Sequence, residues 1–109
     1  IMLSSLAGRR LGVWIAHGEG KFNFPYFKDK YNIAMSYSFD EYPGNPNGSD
    51  WSVAAICSND GRHLAMMPHI ERAFLPWQWP YYPEGRNNDE VAPWIEAFRN
   101  AFNWIKNNK

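Results

Sequence analysis

Val53-Ala54-Ala55-Ile56-Cys57, Ser58-Asn59-Asp60-Gly61-Arg62 and His63-Leu64-Ala65-Met66-Met67 follow one another without a break, and their reading decides the fold. Two apolar runs flank a polar connection, and Asp60-Gly61 tolerates the positive φ that a tight hairpin turn demands. The pattern predicts a β-hairpin over residues 52–67. Pro68 stops its second strand, because proline has no N–H to give to a ladder.

Upstream, Ile33-Ala34-Met35-Ser36-Tyr37-Ser38 alternates in part and predicts another strand. Residues 40–50 read as one long loop, punctuated by Pro43, Gly44, Pro46 and Gly48. Further upstream, Leu11-Gly12-Val13-Trp14-Ile15-Ala16 is wholly apolar and closes on His17-Gly18-Glu19-Gly20. A run of this kind predicts a buried strand feeding a functional loop.

Downstream, residues 75–85 form an irregular segment rich in aromatics and proline. A helix follows, with Asn88 or Asp89 as its expected cap, Glu90 in the first turn and Pro93 near the start. Val91, Ile95, Phe98, Phe102 and Ile105 recur at helical spacing, which predicts one stripe packed against a core. The reading is α/β: a strand-rich segment containing a β-hairpin, then a C-terminal helix. These elements leave the strand expected at residues 11–16 partly uncovered. Together with an opening Ile1-Met2 and no targeting segment, this predicts a piece of a longer polypeptide, whose N-terminal part supplies the missing neighbours.

Composition narrows the function. The 109 residues allow one domain, and a chain of this size buries about two thirds of its unfolded surface. Eleven basic and eleven acidic side chains cancel, with no cationic run beyond Arg9-Arg10, which argues against nucleic acid and charged membrane surfaces. No apolar run approaches the roughly 18 residues of a membrane span. The single cysteine, Cys57, offers no internal disulfide and points to a cytoplasmic protein.

Chemistry concentrates in Pro68-His69-Ile70-Glu71-Arg72. If the chain stays extended past the strand, His69 and Glu71 share one face and Ile70 turns into the core. A carboxylate beside an imidazole fixes its tautomer and stabilises the imidazolium, as a general base requires. The three histidines, His17, His63 and His69, lack the spacing of a helical zinc site, and no metal is expected. Cys57 lies in a strand that turns at once into another strand, so it reads as a small apolar residue rather than a nucleophile. Gly18-Glu19-Gly20-Lys21 lacks the spacer and following helix of a phosphate loop. It reads either as a backbone that a small ligand can approach closely or as a tight turn.

Three motifs stand in order: Leu11-Gly12-Val13-Trp14-Ile15-Ala16-His17-Gly18-Glu19-Gly20-Lys21-Phe22, Tyr42-Pro43-Gly44-Asn45-Pro46-Asn47-Gly48-Ser49, and Asp60 to Arg72. With Pro76-Trp77-Gln78-Trp79 and the final helix, nearly the whole chain resembles the C-terminal glutaminase domain of the large single-chain phosphoribosylformylglycinamidine synthases. The resemblance implies the C-terminal part of a flavodoxin-like class I glutaminase domain over residues 1–109, without its nucleophile-bearing N-terminal part. It implies that a cysteine attacks the glutamine side-chain amide, that His69 shuttles protons and that Glu71 orients His69. Ala16, His17, Gly18 and Glu19 would hold the amino-acid end of glutamine. Ammonia would pass to a synthetase domain of the same polypeptide, which uses ATP and magnesium; no cofactor is implied in these residues.

Two departures qualify the resemblance. Ile70 stands where the family has a second proline, a change that leaves the spacing of His69 and Glu71 intact. No Gly-x-Cys-x-Gly elbow occurs, so these residues alone are expected to lack glutaminase activity, and to self-associate through surfaces that normally meet the missing half. A diverged, non-catalytic binding or regulatory module is the alternative. A third reading makes Trp77, Trp79, Tyr81 and Tyr82 a carbohydrate-stacking platform.

Overall fold

The computed structural model describes residues 1–16, 18–79, 81–86 and 89–108. Two compact units divide the chain: Ile15–Pro68, and Ile1–Trp14 with His69–Lys109. Among the described residues the regular elements are three strands, one α-helix and five short 3-10 turns, an α/β composition.

The unit Ile15–Pro68 holds an antiparallel sheet in the order β1 (Asn32–Ser36), β2 (Val53–Cys57), β3 (Leu64–Met66). The hairpin is where the sequence places it, with Ala55 opposite Met66 and Cys57 opposite Leu64. Gly61 takes φ 73° in its turn. Asp60 accepts from the Ser58 hydroxyl at 2.6 Å and the Arg62 amide at 3.0 Å, and both bonds, the hydroxyl's first, hold its carboxyl below the ordinary range. The central strand is buried from Val53 through Ala55 with no alternation, as expected of a strand with a neighbour on each edge and cover on both faces. β1 begins one residue earlier and ends two earlier than its sequence pattern suggests, and Ala34 is skipped in its register with β2.

The strand expected at residues 11–16 is absent. These residues alternate between half-buried and exposed and belong to no regular element. Their apolar character signals packing, not pairing. Gly12 and Trp14 carbonyls accept single hydrogen bonds, from the Trp94 indole at 2.7 Å and the His69 amide at 3.1 Å, in place of a ladder.

The helix, α1, spans Ile95–Asn107 and starts later than expected. The reason lies in residues 89–93. Asp89 accepts from Tyr82 Oη at 2.7 Å and pairs with Arg86 at 2.9 Å, so it caps nothing; Asn88 lies outside the described residues. The Ala92 amide donates to the Phe74 carbonyl at 2.7 Å, which docks this stretch before the helix begins, and Trp94 occupies the N-cap. The expected apolar stripe is also largely uncovered, with Ile95 half-buried. Ala97 is the buried helix residue, whereas Val91, Phe98, Phe102 and Ile105 are exposed. Polar groups join α1 to the turn Ser4–Leu6 and its flanks instead: Asn100 donates to the Met2 carbonyl and to Ser5 Oγ, and Ser5 and Arg9 both donate to Glu96.

Candidate functional site

Met67 donates its amide to the Ala54 carbonyl at 3.0 Å, and buried Pro68 then ends strand pairing. Beyond it the chain does not stay extended. Ile70–Arg72 is a 3-10 turn, closed by Arg72 N–H on the His69 carbonyl and Ala73 N–H on the Ile70 carbonyl. Ile70 is only 4% exposed, so it does turn inward as expected, although by winding rather than by strand alternation. The turn brings His69 Nδ1 to 2.6 Å from Glu71 Oε1.

That distance sets the chemistry. An ionised carboxylate only accepts hydrogen bonds, so the bond requires the proton on Nδ1 and makes Nε2 the basic nitrogen. The bond from His69 is the main cause that holds the Glu71 carboxyl below its usual range, helped by its own backbone amide. A carboxylate kept charged beside an imidazole is ready to stabilise the imidazolium that forms when Nε2 takes a proton. The arrangement is that of an oriented general base.

Three indoles fix the surroundings of this turn. Trp94, 4% exposed, donates to the Gly12 carbonyl; Trp79 donates to the Ala73 carbonyl at 2.7 Å; Trp14 donates to the Gln78 carbonyl. The Trp14 carbonyl in turn accepts from the His69 amide. Sequence reasoning missed these roles. The available signal was the number of tryptophans itself, since a packed indole N–H seeks an acceptor.

The other expected site residues belong to the unit Ile15–Pro68. Ala16, Gly18 and Glu19 are exposed, with a bend at Gly18 and Glu19, and His17 lies outside the described residues. A methyl group built on Gly18 meets nothing within 4 Å among the described residues. Cys57 closes β2 opposite Asn32 and Leu64 as a half-buried free thiol. Of the expected sugar platform, Trp79 and Tyr82 pack edge-to-face at 5.2 Å with their polar tips bonded internally, while Trp77 and Tyr81 are exposed. Among the described residues no group of three or more His, Cys, Asp or Glu side chains is placed to hold a metal ion. No described helix is long and apolar enough to cross a membrane.

One unit thus holds an imidazole bonded to a carboxylate, and the other an exposed bend at Gly18 and Glu19. Residues 1–105 match the family model described as a CobB/CobQ-like glutamine amidotransferase domain, and the chain belongs to that family. The chain is 44% identical over 116 residues to phosphoribosylformylglycinamidine synthase of Homo sapiens, covering 95% of this chain and 9% of that protein. It is 43% identical over 125 residues to the probable chloroplastic/mitochondrial phosphoribosylformylglycinamidine synthase of Arabidopsis thaliana, covering 97% and 8%. The Drosophila melanogaster phosphoribosylformylglycinamidine synthase is 42% identical over 125 residues, covering 100% and 9%. The chain thus spans less than a tenth of the length of these relatives.

Proposed function

We propose that the chain is the C-terminal part of a flavodoxin-like class I glutaminase domain that releases ammonia for the conversion of formylglycinamide ribonucleotide to its amidine in purine synthesis. The observation that carries this reading is the 2.6 Å bond between His69 Nδ1 and Glu71 Oε1, in a chain similar to phosphoribosylformylglycinamidine synthases of Homo sapiens and Arabidopsis thaliana.

In this reading a cysteine supplied by the same polypeptide outside these residues gives its proton to His69 Nε2 and attacks the glutamine amide carbon. Glu71 holds the imidazolium in place. The imidazolium then protonates the departing nitrogen, the C–N bond breaks and ammonia leaves. His69 next takes a proton from water, whose oxygen cleaves the thioester and releases glutamate, and the proton returns from His69 to the departing cysteine thiolate. Ala16, His17, Gly18 and Glu19 hold the amino-acid end of glutamine, through exposed backbone at Gly18. ATP and magnesium belong to the synthetase part of the polypeptide. No step here passes through them. A cytoplasmic or other reducing compartment suits the free Cys57; the Arabidopsis relative is named as chloroplastic/mitochondrial.

The test is His69→Asn in the full-length polypeptide. Glutamine-dependent synthesis is expected to fall by about 10²–10⁴-fold, the contribution of a positioned general base. Ammonia added directly should sustain the reaction. Glutamine-dependent turnover equal to wild type would refute the assignment.

A further inference from the structure

One edge of residues 20–24 is occupied by side chains rather than by a strand. The Gly20 carbonyl accepts from Asn47 Nδ2 at 2.9 Å. The Phe22 amide donates to Ser49 Oγ at 2.9 Å, and the Phe22 carbonyl accepts from the Asp50 amide at 3.0 Å. The Phe24 amide donates to Asp50 Oδ2 at 2.9 Å. In an extended chain, residues two apart turn their amides and carbonyls to the same side, so positions 20, 22 and 24 present one continuous edge. Three side chains and one backbone amide of the loop satisfy it.

The loop itself is braced for this task. Asn45 is buried, and its side chain clasps Ser49 from both ends: Nδ2 donates to the Ser49 carbonyl at 2.9 Å and Oδ1 accepts the Ser49 amide at 3.0 Å. Across the edge, the Phe24 ring stacks on Phe22 at 5.5 Å and on Trp51 at 5.2 Å, nearly parallel to both. Trp51 and Ser52 hold φ 54° and 58°, a left-handed pair that non-glycine residues keep only when their surroundings enforce it. The polar edge and the aromatic face therefore fix the same five residues.

We infer that Asn47, Ser49 and Asp50 are positioning residues for glutamine: by pairing with residues 20–24 they set the bend at Gly18 and Glu19 that holds the substrate's amino-acid end. This rests on the assignment of residues 16–19 proposed above. Neither Asn47 nor Ser49 acts on the reacting amide, so their loss should weaken substrate binding and leave the chemical step.

The experiment compares Asn47→Ala, Ser49→Ala, Ser49→Thr and Gly18→Ala in the full-length polypeptide, with glutamine KM and kcat measured separately and hydrogen exchange followed by mass spectrometry over residues 20–24. Loss of one such hydrogen bond should raise KM about 3- to 10-fold, with kcat within about twofold, and speed exchange at residues 20–24. Ser49→Thr keeps the hydroxyl and should restore both. A merely structural role would lower the active fraction, and so kcat, without moving KM. Gly18→Ala separates the two claims, because its methyl group meets nothing within 4 Å among the described residues. If Gly18→Ala raises KM while Ser49→Ala and Asn47→Ala do not, the positioning claim is overturned and the binding assignment stands. If Gly18→Ala leaves KM unchanged, residues 16–19 do not hold glutamine, and both claims fall. Should Ser49→Ala not fold, Asn47→Ala decides alone, through loss of the donor to the Gly20 carbonyl.

Discussion

Replacing Glu71 separates what its charge does from what its shape does. Glu71→Gln keeps an oxygen that accepts the Nδ1 proton but removes the charge that stabilises the imidazolium. Opposite charges about 4 Å apart interact by about 1 kcal/mol in water and about 4 kcal/mol at an effective dielectric of about 20. The His69 and Glu71 side chains are 34% and 58% exposed, so screening by solvent favours the lower end. A loss of about 1–2 kcal/mol corresponds to about 5- to 30-fold in kcat. Glu71→Ala removes the acceptor as well, frees the tautomer and should cost more, up to the about 10²–10⁴-fold contributed by the base itself. Steady-state glutaminase kinetics of the full-length polypeptide, with the ammonia-dependent rate as reference, give both numbers. Equal kcat for wild type, Glu71→Gln and Glu71→Ala would refute the orienting role. Stability follows the same pair with a defined sign. The folded-state carboxyl is held below its unfolded value, so its stabilisation is present above the unfolded value and is lost as pH falls through the folded one. Acid-unfolding curves of wild type and Glu71→Gln should therefore converge as pH falls below the ordinary carboxylate range.

Trp94→Phe leaves the Gly12 carbonyl without its indole donor and a smaller ring in a buried site; about 2–3 kcal/mol of stability should be lost, read as a lower urea midpoint. An unchanged midpoint would remove the indole from the account of the fold. Gly44→Ala places a methyl group 2.6 Å from Phe39 Cβ, and should destabilise by about 1–3 kcal/mol in the same assay. Residues 1–109 produced alone should self-associate through Phe98, Phe102 and Ile105, and Phe102→Glu should shift them toward monomer in sedimentation velocity. A strictly monomeric wild-type chain would contradict that expectation.

The hairpin was legible because its signals are local: two apolar runs, an Asp-Gly turn and a terminating proline agree within sixteen residues. Residues 11–16 were not, since a wholly apolar run reports burial and says nothing of whether a strand lies beside it. The helix was placed correctly in kind but not in its start, because the amide of Ala92 is engaged by Phe74, eighteen residues earlier, which no helical signal records. His69 and Glu71 were found by motif, but the extended geometry assumed for them is a 3-10 turn. The pairing of residues 20–24 with Asn47, Ser49 and Asp50 had no readable signal at all. Its donors and acceptors are side chains in a loop whose composition announces only that the chain turns.

The indole clamp also fixes an order of events during synthesis. The hydrogen bonds that tie residues 2, 12 and 14 into their unit span 98, 82 and 64 positions of sequence. Closing loops of that length is a late and costly step for a chain emerging from the ribosome. The turn that carries His69 is translated well before Trp94, so the imidazole is held in its final place only after the start of α1 has left the exit tunnel. A polypeptide truncated before Trp94 would carry both His69 and Glu71 and still lack the clamp that anchors the segment on which His69 rests.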